Sequence, residues 1–248
     1  MTGPAVLVHP SPNHGARPAG QAVDMLVLHY TGMASSAAAL DRLCDPAAEV
    51  STHYLVEGDG GILQLVPEHR RAWHAGRSFW RGDPNINSRS IGIEMVHPGH
   101  AWGYRPFPEG QITALSRLCQ GILGRHGIPA RHVLGHSDVA PDRKEDPGEW
   151  FPWRRLAAEG VGLMPVVPSG PIPAAAPPLV PVQQALAAYG YAVRVTGEHD
   201  LATRNGVLAF QRHFRPARLD GVFDGECAVL LADLLRRSAC AVPPGLLP

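Results

Sequence analysis

Apolar residues recur in two rhythms along the first two-thirds of the chain. DMLVLHYT (24–31) is a β-rich apolar run closing on His29, and SIGIEMV (90–96) alternates, with Ile91, Ile93 and Met95 on one side and Gly92, Glu94 and Val96 on the other. Both predict strands. STHYLVEGDGGILQLV (51–66) reads as two strands around a Gly-Asp-Gly-Gly turn, a hairpin signal. RHVLGH (131–136) predicts a last short strand that ends at His136. Helical spacing separates these runs. SSAAALDRLCD (35–45) opens with cap residues, and between Pro108 and His126 the positions Ile112, Leu115, Cys119, Ile122 and Leu123 share one helical face before Gly127 supplies a stop. Strands interleaved with helices predict an α/β fold with a central mixed β-sheet flanked by helices, mixed because it contains a hairpin.

The rhythm changes after residue 164. PVVPSGPIPAAAPP (165–178) places six Pro in fourteen positions without a charge, which suits a stiff, extended spacer. Beyond it VQQALAAYGY, TRNGVLAFQRHF and GECAVLLADLLRR predict three short amphipathic helices, the second with Val207, Phe210, Gln211 and Phe214 on one side. The loops GEHD and DGVFD precede the second and third, a loose duplication with a period of about 24 residues. The expected organisation is an α/β domain over 1–164, a Pro/Ala-rich linker over 165–178 and a small C-terminal three-helix bundle over 179–240.

Charge and composition narrow the partners. Basic and acidic residues balance at 22 each, so no long-range field favours nucleic acid or an anionic membrane surface. No segment approaches the roughly 18 apolar residues of a membrane span. MTGPAVLVHPSPNHGARP shows neither a basic n-region nor an apolar h-region, which predicts a cytoplasmic protein. A chain whose leader had been removed would read the same way and would work in the periplasm or cell envelope. Four Cys without C-x-x-C spacing predict free thiols rather than a disulfide framework.

Candidate chemistry gathers near the predicted strand ends, where ligands collect in open α/β sheets. His29 and His136 lie there, and Asp146 follows His136 by ten residues through the loop LGHSDVAPDRKEDPG. Two imidazoles and a carboxylate suit a catalytic zinc, Zn2+, which keeps three protein ligands and leaves a fourth position open. The same residues are also readable as two strand-end histidines bonded to backbone and a capping Asp. Glu94, a carboxylate among apolar neighbours, suits a general base, or else an edge-strand Glu facing water. Lys144, the only lysine in the chain, stands two residues before Asp146 and suits an oxyanion stabiliser, while Arg143 suits an anchor for the loop. In WHAGRSFWRGDPNINSRS (73–90), His74, Trp80 and Asn87 are candidates for a groove that holds sugar and peptide. Aromatic packing under a long loop is the competing reading. His53, on a strand beside Tyr54, reads as structural.

Six ordered segments then carry a resemblance: SPNHGARP, VLHYTGM, VSTHYLVEGDGGILQLVPE, AWHAGRSFWRGDPNINSRSIGIEMV, LGHSDVAPDRKEDPG and FPWRRLAAEGVG. From about Ser11 to Gly162 they resemble the zinc-dependent N-acetylmuramoyl-L-alanine amidases of the type 2 family, in the AmpD/AmiD-like branch, whose fold peptidoglycan recognition proteins share. Residues 179–237 resemble a peptidoglycan-binding helical module through YGY, TRNGVLAFQRHFRP and LDGVFD. The resemblance implies zinc ligands at His29, His136 and Asp146, a catalytic pair at Glu94 and Lys144, and no ligand role for His53. It implies hydrolysis of the amide between N-acetylmuramic acid, or its anhydro form, and the L-Ala of the stem peptide. The partners implied are muropeptides, anhydro-muropeptides or intact peptidoglycan. A non-catalytic peptidoglycan binder and a zinc peptidase acting within the stem peptide are the alternatives. One departure stands out: Cys227 occupies a place where the module resembled has Thr, and a thiol is a poor helix cap, which predicts a weaker start to the last helix.

Overall fold

The computed structural model describes residues 5–167 and 170–247. The elements are β1 (Val6–Val8), β2 (His14–Ala16), β3 (Met25–Tyr30), α1 (Ser36–Cys44), β4 (Tyr54–Val56), β5 (Ile62–Gln64), β6 (Arg70–Ala72), α2 (Ile86–Arg89), β7 (Ser90–Met95), α3 (Glu109–His126), β8 (Val133–Gly135), α4 (His136–Val139), α5 (Trp153–Ala158), α6 (Leu179–Tyr189), α7 (Leu201–Phe214) and α8 (Gly225–Arg237). Positions 168 and 169 of the Pro-rich stretch and the first four residues of the N-terminal stretch lie outside the described residues.

The two six-residue apolar runs, β3 and β7, pair in parallel near the middle of a six-stranded sheet of order β1-β5-β4-β7-β3-β8. Only the β4-β5 hairpin is antiparallel, so the sheet is mixed as expected. Register then decides which side chains meet. Ile91, Ile93 and Met95 oppose Leu26, Leu28 and Tyr30, while Glu94 stands directly beside His29 and Leu55 beside Glu94. The Ile91 face packs on Ile112, Leu115, Cys119 and Ile122 of α3. On the other face, Leu55 and Leu65 pack on Ala39 and Leu43 of α1. Ser35 caps α1 by accepting the Ala38 N–H, and Gly127 ends α3 in the left-handed region at φ 65°.

α6, α7 and α8 form the small helical bundle, and their apolar residues run into the core of the sheet domain without a break. Asp200 and Asp224, 24 residues apart, cap α7 and α8 by accepting the N–H groups of Thr203 and Cys227. This corrects the expectation for Cys227: the cap is the Asp224 carboxylate, and Cys227 is a buried third-position residue whose backbone the cap receives. All four cysteines are free thiols. Two further differences concern boundaries. His136 does not end a strand but opens α4 directly after β8, and the three-residue strands β1, β2 and β6 carry no alternation long enough to read. No helix among the described residues is long and apolar enough to cross a membrane.

Candidate metal centre

The C-terminal ends of β3, β7 and β8 converge, and the register between them builds the site. Leu28 pairs with Gly135, so His136 comes level with His29, and Glu94 is beside His29 on the other flank. The loop after α4 returns Asp146 to the same point, helped by Ser137 N–H donating to the Asp146 carbonyl. His29 Nδ1 and His136 Nδ1 are 2.9 Å apart, and Asp146 Oδ2 is 3.0 Å from each. All three residues are at most 5% exposed.

The hydrogen-bond partners around the triangle fix where its protons sit. Ser90 Oγ donates to the Ile86 carbonyl, so its oxygen must accept from His74 Nε2 at 3.0 Å. That leaves His74 Nδ1 as an acceptor, and His29 Nε2–H donates to it at 3.0 Å. His136 Nε2 faces the Ala75 carbonyl at 3.1 Å, which can only accept; the Arg143 guanidinium stands farther off, at 3.4 Å, and spends that nitrogen's protons on the Ala75 and Arg77 carbonyls. Both Nδ1 atoms therefore present lone pairs to each other and to a carboxylate oxygen. Three acceptors converging in a buried place call for a cation, and tetrahedral N and O ligands of a zinc ion would stand about 3.3 Å apart, close to the edges seen. Burial first, and the neighbouring His136 next, push His29 down to about 4, which keeps the imidazole neutral and able to ligate. His29, His136 and Asp146 form a buried group that could hold a metal ion.

Beside the triangle lies a cavity of about 410 Å³ lined in part by His74, Glu94, His136, Lys144, Glu145 and Asp146. Glu94 Oε2 is buried without a hydrogen-bond partner among the described residues. Burial, reinforced by the Asp146 charge and opposed by Lys144, pushes the Glu94 carboxyl up to about 8. A carboxyl poised near neutrality can take and return a proton. Lys144 forms no ion pair among the described residues, so its ammonium is available to the cavity. Arg143 donates to the Arg77 and Ala75 carbonyls and anchors the loop, as its sequence position suggested.

The groove candidates separate. His74 lines the cavity but spends both nitrogens on His29 and Ser90, so it orients a candidate ligand. Its ring needs Gly92, where a Cβ would come within 2.4 Å of it. Asn87 Oδ1 accepts the His74 and Ala75 N–H groups and shapes that segment. Trp80 is not in the groove: 1% exposed, it packs edge-on against Tyr189 and Tyr191 of the helical bundle. The competing reading of that segment, aromatic packing under a long loop, describes Trp80. His53 is structural as expected, with Nδ1 accepting the Gly92 N–H and Nε2 facing the Arg70 carbonyl. Sequence reasoning missed Ser90 and the Ala75 carbonyl, which fix the two imidazole tautomers. Neither a lone Ser nor a backbone oxygen leaves a signal in a motif.

Known proteins are similar to this chain in sequence and in fold. The sequence profile of the family described as N-acetylmuramoyl-L-alanine amidase matches residues 19–149, and that of a peptidoglycan binding domain matches residues 176–231. N-acetylmuramoyl-L-alanine amidase AmiD of Escherichia coli is 37% identical over 236 residues, covering 87% of this chain and 83% of that protein. 1,6-Anhydro-N-acetylmuramyl-L-alanine amidase AmpD of Enterobacter cloacae is 34% identical over 166 residues, covering 60% of this chain and 87% of that protein. Among solved structures, the complex of E. coli AmiD with anhydro-N-acetylmuramic acid-L-Ala-D-gamma-Glu-L-Lys superposes with a TM-score of 0.78 at 36% identity, covering 90% of this chain and 93% of that one. Pseudomonas aeruginosa AmpDh3 gives a TM-score of 0.78 at 33% identity, covering 94% and 96%. With the sheet domain and the helical bundle both matched in one chain, this protein belongs to the N-acetylmuramoyl-L-alanine amidase family and is an amidase.

Proposed function

We propose that the chain is a zinc-dependent amidase that cuts the amide between N-acetylmuramic acid, in its anhydro form or within peptidoglycan, and the L-Ala of the stem peptide. One observation carries the metal reading: the two bare Nδ1 atoms and the Asp146 oxygen within 3.0 Å of one another, beside the buried, unpartnered Oε2 of Glu94. His29, His136 and Asp146 would hold the ion. Zinc held there would supply Lewis acidity for the scissile carbonyl and would lower the pKa of the attacking water toward about 7. Glu94 takes the proton that water loses on attack and returns it to the departing amine of L-Ala, so the carboxyl is regenerated. Lys144 places its ammonium against the oxyanion of the tetrahedral intermediate, where a positioned charge counts most.

The proposed catalytic domain spans 1–164 and the linker 165–178, followed by a peptidoglycan-binding module over 179–240; the profile matches at 19–149 and 176–231 support that division. The E. coli and P. aeruginosa relatives have been solved with anhydro-muramyl peptides, which supports soluble muropeptides as substrates here. Incubation with anhydro-muropeptide and separately with intact sacculi, followed by mass analysis, tests the reading. Free stem peptide beginning at L-Ala is expected. Unchanged substrate would mark a non-catalytic binder, and peptides lacking L-Ala would mark a peptidase. The ratio of the two rates tells whether the enzyme serves recycling of soluble fragments or turnover of the wall.

A further inference from the structure

Two residues beyond His136, Asp138 is wholly buried, its side chain 0% exposed. Its Oδ2 accepts the Gly135 N–H at 2.8 Å and lies 2.8 Å from His213 Nδ1, and its Oδ1 accepts the Tyr191 hydroxyl at 2.9 Å. Two of its three partners thus come from the helical bundle. His213 is itself clamped, its ring stacked on Trp153 at 3.8 Å and on Phe214 at 4.0 Å. The preceding residue on α7, Arg212, reaches Glu145 at 3.3 Å and Glu149 at 3.8 Å. Those two carboxylates bracket Asp146. Adjacent residues of one helix therefore grip both ends of segment 136–149, which bears two of the three candidate ligands and Lys144.

A module that served only to hold glycan near the enzyme could hang on its linker, since domain contacts within a chain are commonly small and polar. Here the apolar core is shared, and a buried carboxylate, costly to leave without donors, is satisfied only when the bundle is seated. We propose that the helical bundle is a brace for the metal-ligand loop, with Tyr191, His213 and Arg212 as positioning residues that keep His136 Nδ1 and Asp146 Oδ2 turned toward His29. The proposal rests on the metal reading given above for its consequence, but the contacts that make the brace involve the chain's own residues alone.

The test uses full-length Tyr191→Phe, His213→Leu, His213→Asn and Arg212→Met. Three readouts are taken: hydrogen–deuterium exchange of segment 136–149 in chelator-treated protein, zinc retention against a chromophoric chelator, and kcat and KM on a soluble muramoyl tripeptide. Tyr191→Phe and His213→Leu should speed exchange in 136–149 and weaken zinc retention about tenfold, the low end for groups that orient metal ligands. Turnover should fall with KM nearly unchanged, and His213→Asn, which restores a donor to Asp138, should recover most of the loss. Arg212→Met, which leaves the buried Asp138 contacts intact, asks the same question of the Asp146 end should the buried variants fail to fold. Wild-type exchange and zinc retention in all variants, or a loss confined to binding of insoluble peptidoglycan, would overturn the brace. A wild-type chain that binds no zinc would instead overturn the metal reading, while the exchange data would still judge the brace.

Discussion

Replacing Glu94 by Gln should stabilise the metal-free protein while abolishing turnover. The Glu94 carboxyl sits at about 8 instead of 4.5, because burial and the Asp146 charge disfavour its ionised form more than Lys144 favours it. Folded chains therefore keep a proton that unfolded chains release above pH 4.5, so the folded state binds more protons between pH 4.5 and 8. Stability must then fall as pH rises through that window, with the full loss present above about 8. A displacement of about 3.5 in pKa corresponds to at most about 5 kcal/mol. The side chain is partly open to the cavity, and solvent screening there reduces the loss to about 1–3 kcal/mol. Gln keeps the shape without the charge, so at pH 9 the chelator-treated variant should melt about 2 to 12 °C above wild type. At pH 5 the two should nearly coincide. Zinc should narrow the gap, since a nearby dication favours the ionised carboxylate. Equal melting temperatures at pH 9, or a difference independent of pH, would refute the assignment of Glu94 as a charge held at a cost in stability beside the site.

Lys144→Ala should lower kcat on the order of 100-fold with zinc content unchanged, and near-normal turnover would remove the oxyanion role. His74→Phe keeps an aromatic ring but deletes the acceptor that orients His29, so zinc affinity measured by chelator competition should drop about 10- to 100-fold. Unaltered affinity there would mean that the His29 tautomer is fixed by something else. Trp80→Ala should cost about 3–5 kcal/mol in denaturant unfolding, as expected for a buried ring between the sheet domain and the bundle. KM for a soluble muramoyl peptide should stay put; a raised KM with unchanged stability would return Trp80 to the substrate groove.

Much of the site was legible because its information is local. The alternation in SIGIEMV already places Glu94 off the core face, and the apolar runs before His29 and His136 already place both histidines at strand ends within a residue or two. Motif resemblance then joined them to Asp146 across the Pro-flanked loop. What escaped was carried by contacts between distant segments. His74 does line the cavity, but WHAG says nothing about Ser90 or the Ile86 carbonyl, which together force its tautomer and turn it toward His29. Trp80 looked like a sugar platform because its true neighbours, Tyr189 and Tyr191, lie more than a hundred positions away. Asp138 carries no local signal of its role, although it joins the two halves of the chain. The strands β1, β2 and β6 are three residues each, too short for any period to declare itself. Cys227 is the opposite case: an unusual residue stands inside the first turn, while the ordinary Asp224, three positions earlier, caps the helix.

The most direct test of the account is metal analysis coupled to a chelation and restoration assay. One zinc per chain is expected in the wild type and none in His29→Ala or Asp146→Ala. Release of L-Ala-terminated stem peptide should stop on chelation and return with added zinc. A chelated, metal-free preparation that still cleaves the muramoyl amide at the full rate would contradict it.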